Sequence, residues 1–375
     1  MSQVSPLSEA GQEPAIRVMV VDDAVVFRGL VTRWLGEEAG LRLASSHRNG
    51  YEALANLTAV DPDVVVLDIE MPELDGLAAL PLLLGRKPDL AVIIVSTLTR
   101  RNAEVGIRAL TLGAMDYVSK PETSREMTGA PDFRRELFEK IRVLGLRSLA
   151  RRGVTRPLPP PSFPPPQPKA AQFKLRAFSH YPPQVLVIGS STGGPQALQA
   201  MIRRLDPVLR RLPVLVTQHM PPTFTSILAD HLGRVARRPA HEAMHGESVS
   251  AGTLYLAPGA RHMSIERERG RAKIVIGDGP PVNYCKPAVD PLFSSAAEVY
   301  GAGTLAVLLT GMGTDGTAGA ERIVAAGGSV IAQDEATSVV WGMPGSAAMA
   351  GHCAAVLPIE FIAPQIVKLV TGGVA

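Results

Sequence analysis

The chain has 375 residues, 46% of them hydrophobic and 19% charged, which is ample apolar content for about two or three buried cores and unlike a disordered chain. A formal net charge of +3, with no concentrated basic stretch, offers no footprint for nucleic acid. Two cysteines, Cys285 and Cys353, far apart and in no metal-ligand spacing, exclude a disulfide framework and read as free thiols of a reducing compartment.

Residues 1–14, MSQVSPLSEAGQEP, have neither a basic start nor an apolar run, and read as a flexible tail. No later apolar run reaches spanning length, so the expected location is cytoplasmic, without direct membrane insertion.

From Arg17 apolar runs alternate with helical patterns: RVMVVDD, then a helix through Trp34; LRLASS, then a helix; DVVVLD; AVIIVS; AMDYVSK. That alternation predicts a doubly wound parallel α/β domain over 15–149, closed by a helix over FRRELFEKIRVLGLRSL, Phe133 to Leu149. In such sheets sites form at the carboxyl ends of strands. Asp22 and Asp23 end the first strand, Asp68 the third and Ser96 the fourth, and Lys120 follows the fifth. Three converging carboxylates repel one another unless a cation intervenes, and hard oxygen donors suit Mg²⁺.

VVDD, LDIEMPELDG, VSTLT and YVSKP together resemble the receiver domain of two-component response regulators, a flavodoxin-like fold. The resemblance implies that Asp68 accepts a phosphoryl group from a histidine kinase, with Asp22, Asp23, Asp68 and the backbone carbonyl of Glu70 around Mg²⁺. It also implies that Lys120 pairs with the phosphoryl group and that Ser96 and Tyr117 form the switch.

The joint over 150–183 carries RPLPPPSFPPPQP, Arg156 to Pro168, where prolines deny helix and ladder hydrogen bonds and predict an extended linker. From Gln184 the alternation resumes with QVLVIGS, PVLVTQH, TLYLAPG, KIVIGD, TLAVLLTGMG and SVIAQDE, predicting a second α/β domain over 184–375. The stretch IGSSTGG, Ile188 to Gly194, fits a nucleophile elbow between a strand and a helix, which favours Ser191 as an activated hydroxyl. A serine nucleophile needs a base, usually histidine, oriented by a carboxylate. His219 ends the next apolar run and Asp315 sits in the turn after Leu305 to Leu309. His231 and His262 remain open as bases, and Asp278, Asp290 and Asp334 as acids. His241 and His245, at i, i+4 spacing, read as a solvated face rather than a metal pair.

GSSTGG, QHMPP, LAPG, PPVNY with KPAVDPLF, LTGMGTDG and QDEATSVVWGMP resemble the catalytic domain of the chemotaxis protein-glutamate methylesterase/glutaminase family, and the order of receiver, joint and catalytic domain matches as well. The resemblance implies a three-layer α/β domain with Ser191 as nucleophile, His219 as general base, Asp315 as its orienter, and an oxyanion site from backbone N–H groups near Thr192 and Met312. It implies hydrolysis of glutamate γ-methyl esters and deamidation of particular glutamines on methyl-accepting chemoreceptors, without a metal, and a chemotaxis histidine kinase as phosphodonor. It further implies that the unphosphorylated receiver blocks the active site. The chain departs from the family pattern at Ser190, where alanine is usual, and at Cys285, where a histidine is expected; no motif pairs Cys285 with a base. A receiver-controlled esterase acting on another chemosensory protein, and a non-catalytic signalling adaptor, are the alternatives that Ser191→Ala separates.

Overall fold

A computed structural model describes residues 15–97, 99–121, 131–151 and 174–372. The tail over 1–14 and most of the proline-rich joint therefore lie outside the described residues. The chain folds into two α/β units.

In the first, strands β1 (Ile16–Val21), β2 (Leu41–His47), β3 (Val64–Asp68), β4 (Ala91–Thr97) and β5 (Asp116–Lys120) form one sheet in the order β2-β1-β3-β4-β5. Every pairing is parallel. Helices α1 (Val25–Glu37), α2 (Gly50–Val60), α3 (Gly76–Arg86) and α4 (Arg100–Thr111) follow the first four strands in sequence, and α5 (Pro131–Arg151) is the expected closing helix with somewhat wider bounds. Strand β3 is buried from end to end, as a parallel strand covered on both faces must be. The chain reverses direction across the sheet between β1 and β3, so Asp22 and Asp68 flank the topological switch point where ligands bind in this architecture.

The second unit has a seven-stranded parallel sheet in the order β14-β13-β12-β6-β7-β9-β8. Its strands are β6 (Val185–Ser190), β7 (Val214–Gln218), β8 (Ala240–Glu242), β9 (Leu254–Leu256), β12 (Thr304–Leu308), β13 (Ser329–Gln333) and β14 (Ala355–Leu357). The helices are α6 (Gly194–Ile202), α7 (Asp206–Leu209), α8 (Phe224–Ala236), α9 (Val289–Tyr300), α10 (Thr317–Ala325), α11 (Met343–Met349) and α12 (Ile359–Thr371). Val185, Val187, Leu215, Ala306 and Leu308 pack on one face of the sheet against Leu292, Phe293, Ile323 and Met343 from helices. The alternate residues Leu186, Ile188, Val214 and Val216 are equally buried, so both faces are covered and the unit has three layers. Burying each such side chain contributes about 1.5–3 kcal/mol.

Two expectations change here. KIVIGD does not join the parallel sheet: β11 (Arg271–Gly277) pairs antiparallel with β10 (His262–Glu268) as a separate hairpin. Its strands follow each other through the tight turn at Arg269 and Gly270, both at positive φ, and a two-residue connection of that kind joins antiparallel neighbours. His241 and His245 do not share a helix face. His241 lies in β8, with Glu247 at 2.7 Å from its Nε2. Among the described residues no helix is long and apolar enough to cross a membrane.

Candidate functional site

Strand β6 lies between β12 and β7, so the loops after these three adjacent strands meet at one rim. β6 and β12 flank the switch point of the second sheet, because the chain moves outward to β7 on one side and later to β12 and β13 on the other. Ser191, Asp315 and His219 follow β6, β12 and β7 respectively. His219 Nε2 lies 2.7 Å from Asp315 Oδ2, and the His219 amide donates to Ser190 O at 3.0 Å. A carboxylate only accepts, so this bond places a proton on Nε2, and in the neutral imidazole the lone pair is then on Nδ1.

The elbow itself is held by close backbone contacts. The Ser191 amide donates to Thr310 O at 3.0 Å, and Gly194 N donates to Ser191 O at 2.7 Å. Gly193 has φ +75°, and a Cβ there would stand 2.5 Å from Val339 Cγ2, so no other residue can make this turn without strain. At Gly311 a Cβ would come within 2.8 Å of Ser191 Cβ, which is how closely the loop after β12 approaches the elbow. Among the described residues the Ser191 hydroxyl makes no hydrogen bond and is half-buried, while the next loop presents Met312 N–H without an acceptor. Catalytic hydrogen bonds commonly close only when substrate binds.

Asp315 is 1% exposed. Its Oδ2 accepts from Val289 N at 2.6 Å, and its Oδ1 from Asp290 N at 3.1 Å and Gly316 N at 3.0 Å. The first two donors open helix α9, where unpaired amides favour an anion. Burial works to raise the carboxyl's pKa, but the hydrogen bond and charge of His219 and these amides hold it below the usual range. The competing acids are occupied elsewhere. Asp278 pairs with Lys286 at 2.5 Å, Asp290 accepts from Gly319 N, and Asp334 caps Thr337. Both ring nitrogens of His262 are engaged, at Pro280 O and Ala288 N, and His231 lies about two turns into α8.

In the first unit Lys120 Nζ lies 2.5 Å from Asp22 Oδ2 and 2.9 Å from Asp68 Oδ2. Asp22, Asp23 and Asp68 offer oxygens within 4.8 Å of one another. Burial, partly offset by Lys120 and reinforced by Asp22, raises Asp68 to about 7. Such crowding of acids favours a cation, and the all-oxygen donor set fits Mg²⁺. Ser96 Oγ is buried without a partner, a hydroxyl kept ready for an acceptor. Tyr117 is buried, with its hydroxyl 3.1 Å from Ser119 Oγ. Glu70 follows β3 by two positions.

Residues 186–366 match the CheB methylesterase family and 18–130 the response regulator receiver domain. The chain is 56% identical over 382 residues to the protein-glutamate methylesterase/protein-glutamine glutaminase of group 2 operon from Rhodopseudomonas palustris, covering 98% of this chain and 97% of that one. The chain belongs to the CheB methylesterase family. It is likewise 56% identical over 367 residues to the protein-glutamate methylesterase/protein-glutamine glutaminase of Nitrobacter hamburgensis, covering 97% and 96% of the two chains. The crystal structure of the Thermotoga maritima CheB methylesterase catalytic domain is 41% identical with a TM-score of 0.49, over 51% of this chain and 100% of that one.

Two residues of this CheB-family chain take places that sequence reasoning does not assign. Gln218 Nε2 donates to Ser191 O at 2.9 Å and to His219 O at 3.1 Å, while its Oε1 accepts from Ser190 Oγ at 2.6 Å. Ser190, where the resemblance leads one to expect alanine, thus has its hydroxyl locked into the clamp. Cys285, which no motif pairs with a base, nevertheless lies beside one: its sulfur is within 4.8 Å of the His219 and Asp315 ligand atoms. A tight turn, in which Val282 and Cys285 exchange backbone bonds at 3.1 and 2.9 Å and Asn283 and Tyr284 have positive φ, carries it there. Burial disfavours a charged His219, but electrostatic attraction to Cys285, the hydrogen bonds to Asp315 and Cys285, and the Asp315 charge together push it up to about 10.

Proposed function

We propose that the chain hydrolyses glutamate γ-methyl esters, and deamidates particular glutamines, on methyl-accepting chemoreceptors under control of phosphorylation at Asp68. The observation that carries this reading is the His219–Asp315 bond at 2.7 Å beside the Ser191 elbow, in a chain that aligns along its whole length with methylesterase/glutaminases.

In this reading Ser191 Oγ attacks the ester carbonyl and its proton passes to His219 Nδ1. Asp315 holds the imidazole by Nε2 and stabilises the imidazolium that forms. The N–H groups of Met312 and Thr192 face the developing oxyanion, where each donor is worth about 2.7–4 kcal/mol of barrier. Collapse breaks the ester C–O bond, and His219 returns the proton to the departing methoxide as methanol. Water, deprotonated by His219, then cleaves the acyl-serine and leaves a glutamate carboxylate. A glutamine side chain follows the same course with ammonia as the leaving group.

At the receiver, Asp22, Asp23, Asp68 and the Glu70 carbonyl would hold Mg²⁺, which neutralises the incoming phosphoryl group. A chemotaxis histidine kinase supplies that group to Asp68. Lys120 then moves from its pairing with Asp68 to the phosphoryl oxygens, and Ser96 gains the acceptor it lacks, with buried Tyr117 following. The domain limits 15–149 and 184–375 are read with the joint between them.

Mass spectrometry of receptor peptides tests this reading. Incubation with the chain and a phosphodonor converts methylated glutamate and particular glutamines to glutamate, and Ser191→Ala leaves both unchanged. Equal conversion by Ser191→Ala would refute it.

A further inference from the structure

His219, Cys285 and Asp315 each present one metal-ligating atom within 4.8 Å of the others. In a tetrahedral zinc site, nitrogen, sulfur and oxygen donors at about 2.0–2.3 Å from the ion stand roughly 3.3–3.6 Å apart. Closing the cluster onto an ion therefore changes no pair separation by more than about 1.5 Å. Cys285 is a half-buried residue at the end of a reverse turn whose neighbour Tyr284 is 83% exposed, so it is less enclosed than Asp315. Asp315 is already oriented, because its second oxygen accepts from Asp290 N and Gly316 N, the kind of outer support that fixes ligands around a metal.

We propose that these three side chains bind a thiophilic divalent cation, zinc in the first instance, and that its binding switches off ester hydrolysis by occupying the imidazole lone pair. The second half of this rests on the reading of His219 as general base. One imidazole, one thiolate and one carboxylate form the three-donor set that leaves a fourth position for water, and the two anions balance the ion's charge. Binding releases the thiol proton to solvent, leaves the imidazole proton on Nδ1 instead of Nε2, so that no lone pair remains for catalysis, and changes no oxidation state. The bond between His219 Nε2 and Asp315 opens as the ion enters between them.

Donor hardness separates this site from the receiver's. Asp22, Asp23 and Asp68 offer only oxygen and suit Mg²⁺, whereas sulfur and imidazole favour zinc. The two ions thus address the two domains independently, and Mg²⁺ supports phosphorylation without entering the hydrolase site.

The test uses the full chain stripped with a chelator. Titration with Co²⁺ produces one equivalent of a sulfur-to-cobalt charge-transfer band that Zn²⁺ abolishes by displacement, and one equivalent of Zn²⁺ lowers methanol release at least about tenfold, reversibly by chelator. Cys285→Ala shows no band and needs at least about tenfold more Zn²⁺ for the same inhibition. Cys285→His, which restores a nitrogen donor, regains the inhibition without the band and controls for misfolding of the alanine variant. Absence of the band in the unsubstituted chain, or equal Zn²⁺ sensitivity in Cys285→Ala, overturns the proposal. Should no form release methanol, the esterase reading fails while the cobalt band still decides the metal site.

Discussion

The Ser190 hydroxyl donates to Gln218 Oε1 at 2.6 Å in a fully buried setting. Of the three adjacent hydroxyls at the elbow, that one is spent on structure, Thr192 is buried, and Ser191 alone is half-open. Ser190→Ala should therefore lower stability by about 1–3 kcal/mol, since it strands a buried acceptor, yet retain methanol release. Ser191→Ala should abolish release with little change in melting temperature. Thermal unfolding and turnover measured on both variants check this; the reverse pattern would make Ser190 the nucleophile.

Gln218 ties the carbonyl of Ser191 to that of His219. Loss of this clamp lets nucleophile and base drift, and misplacement of about 1 Å costs roughly a hundredfold in rate. Gln218→Ala should accordingly lower kcat by about tenfold to a hundredfold with KM nearly unchanged. Steady-state kinetics on a methylated receptor fragment decide it, and a change confined to KM would place Gln218 in substrate binding instead.

His219 must be neutral to take the serine proton, so activity rises as pH climbs through its pKa. Burial pulls that pKa down, and electrostatic attraction to Cys285, the hydrogen bonds to Asp315 and Cys285, and the Asp315 charge push it up to about 10. Removing the sulfur leaves less support for the imidazolium. With chelator present, the acid limb of the pH–rate profile should move to lower pH in Cys285→Ala, raising activity at neutral pH. An unmoved limb would show that Cys285 and His219 do not share a proton.

Asp315 fixes the imidazole tautomer through Nε2. Asp315→Asn keeps the shape but can donate to that nitrogen, so it stabilises the wrong tautomer and should lower kcat by about 10⁴. Turnover of the purified variant, with circular dichroism to verify folding, provides the check.

Lys120 pairs with both Asp22 and Asp68. Lys120→Ala removes a unit charge beside three carboxylates, so Mg²⁺ should bind at least about fivefold more tightly. The same variant should lose the rise in hydrolysis that phosphorylation brings, because the phosphoryl group lacks its partner. Calorimetric Mg²⁺ titration and methanol release with phosphodonor measure the two effects.

The parallel sheets were legible because their strands are continuous apolar runs that stop at polar residues, as β3 does at Asp68 and β7 at His219. Ser191, His219 and Asp315 each follow such a strand, and parallel strands share one carboxyl rim, so the sequence already groups them. Strands β8 and β14 have three residues each, too few for a periodic signal. KIVIGD had the right pattern for a strand but no mark of its partner's direction, since pairing is set by the connecting turn. Gln218 opens the QHMPP motif, yet its clamp depends on side-chain direction at a strand end. Cys285 is separated from His219 by 66 positions of sequence, and only the turn at 282–285 makes them neighbours.

The most direct test of the account is methanol release from methylated chemoreceptor membranes, with Mg²⁺ and with or without a small-molecule phosphodonor. The unsubstituted chain, Ser191→Ala and Asp68→Asn are compared. Release should rise with phosphodonor in the unsubstituted chain, be absent from Ser191→Ala, and stay at an unresponsive basal rate in Asp68→Asn. Release by Ser191→Ala, or a full phosphodonor response in Asp68→Asn, would contradict it.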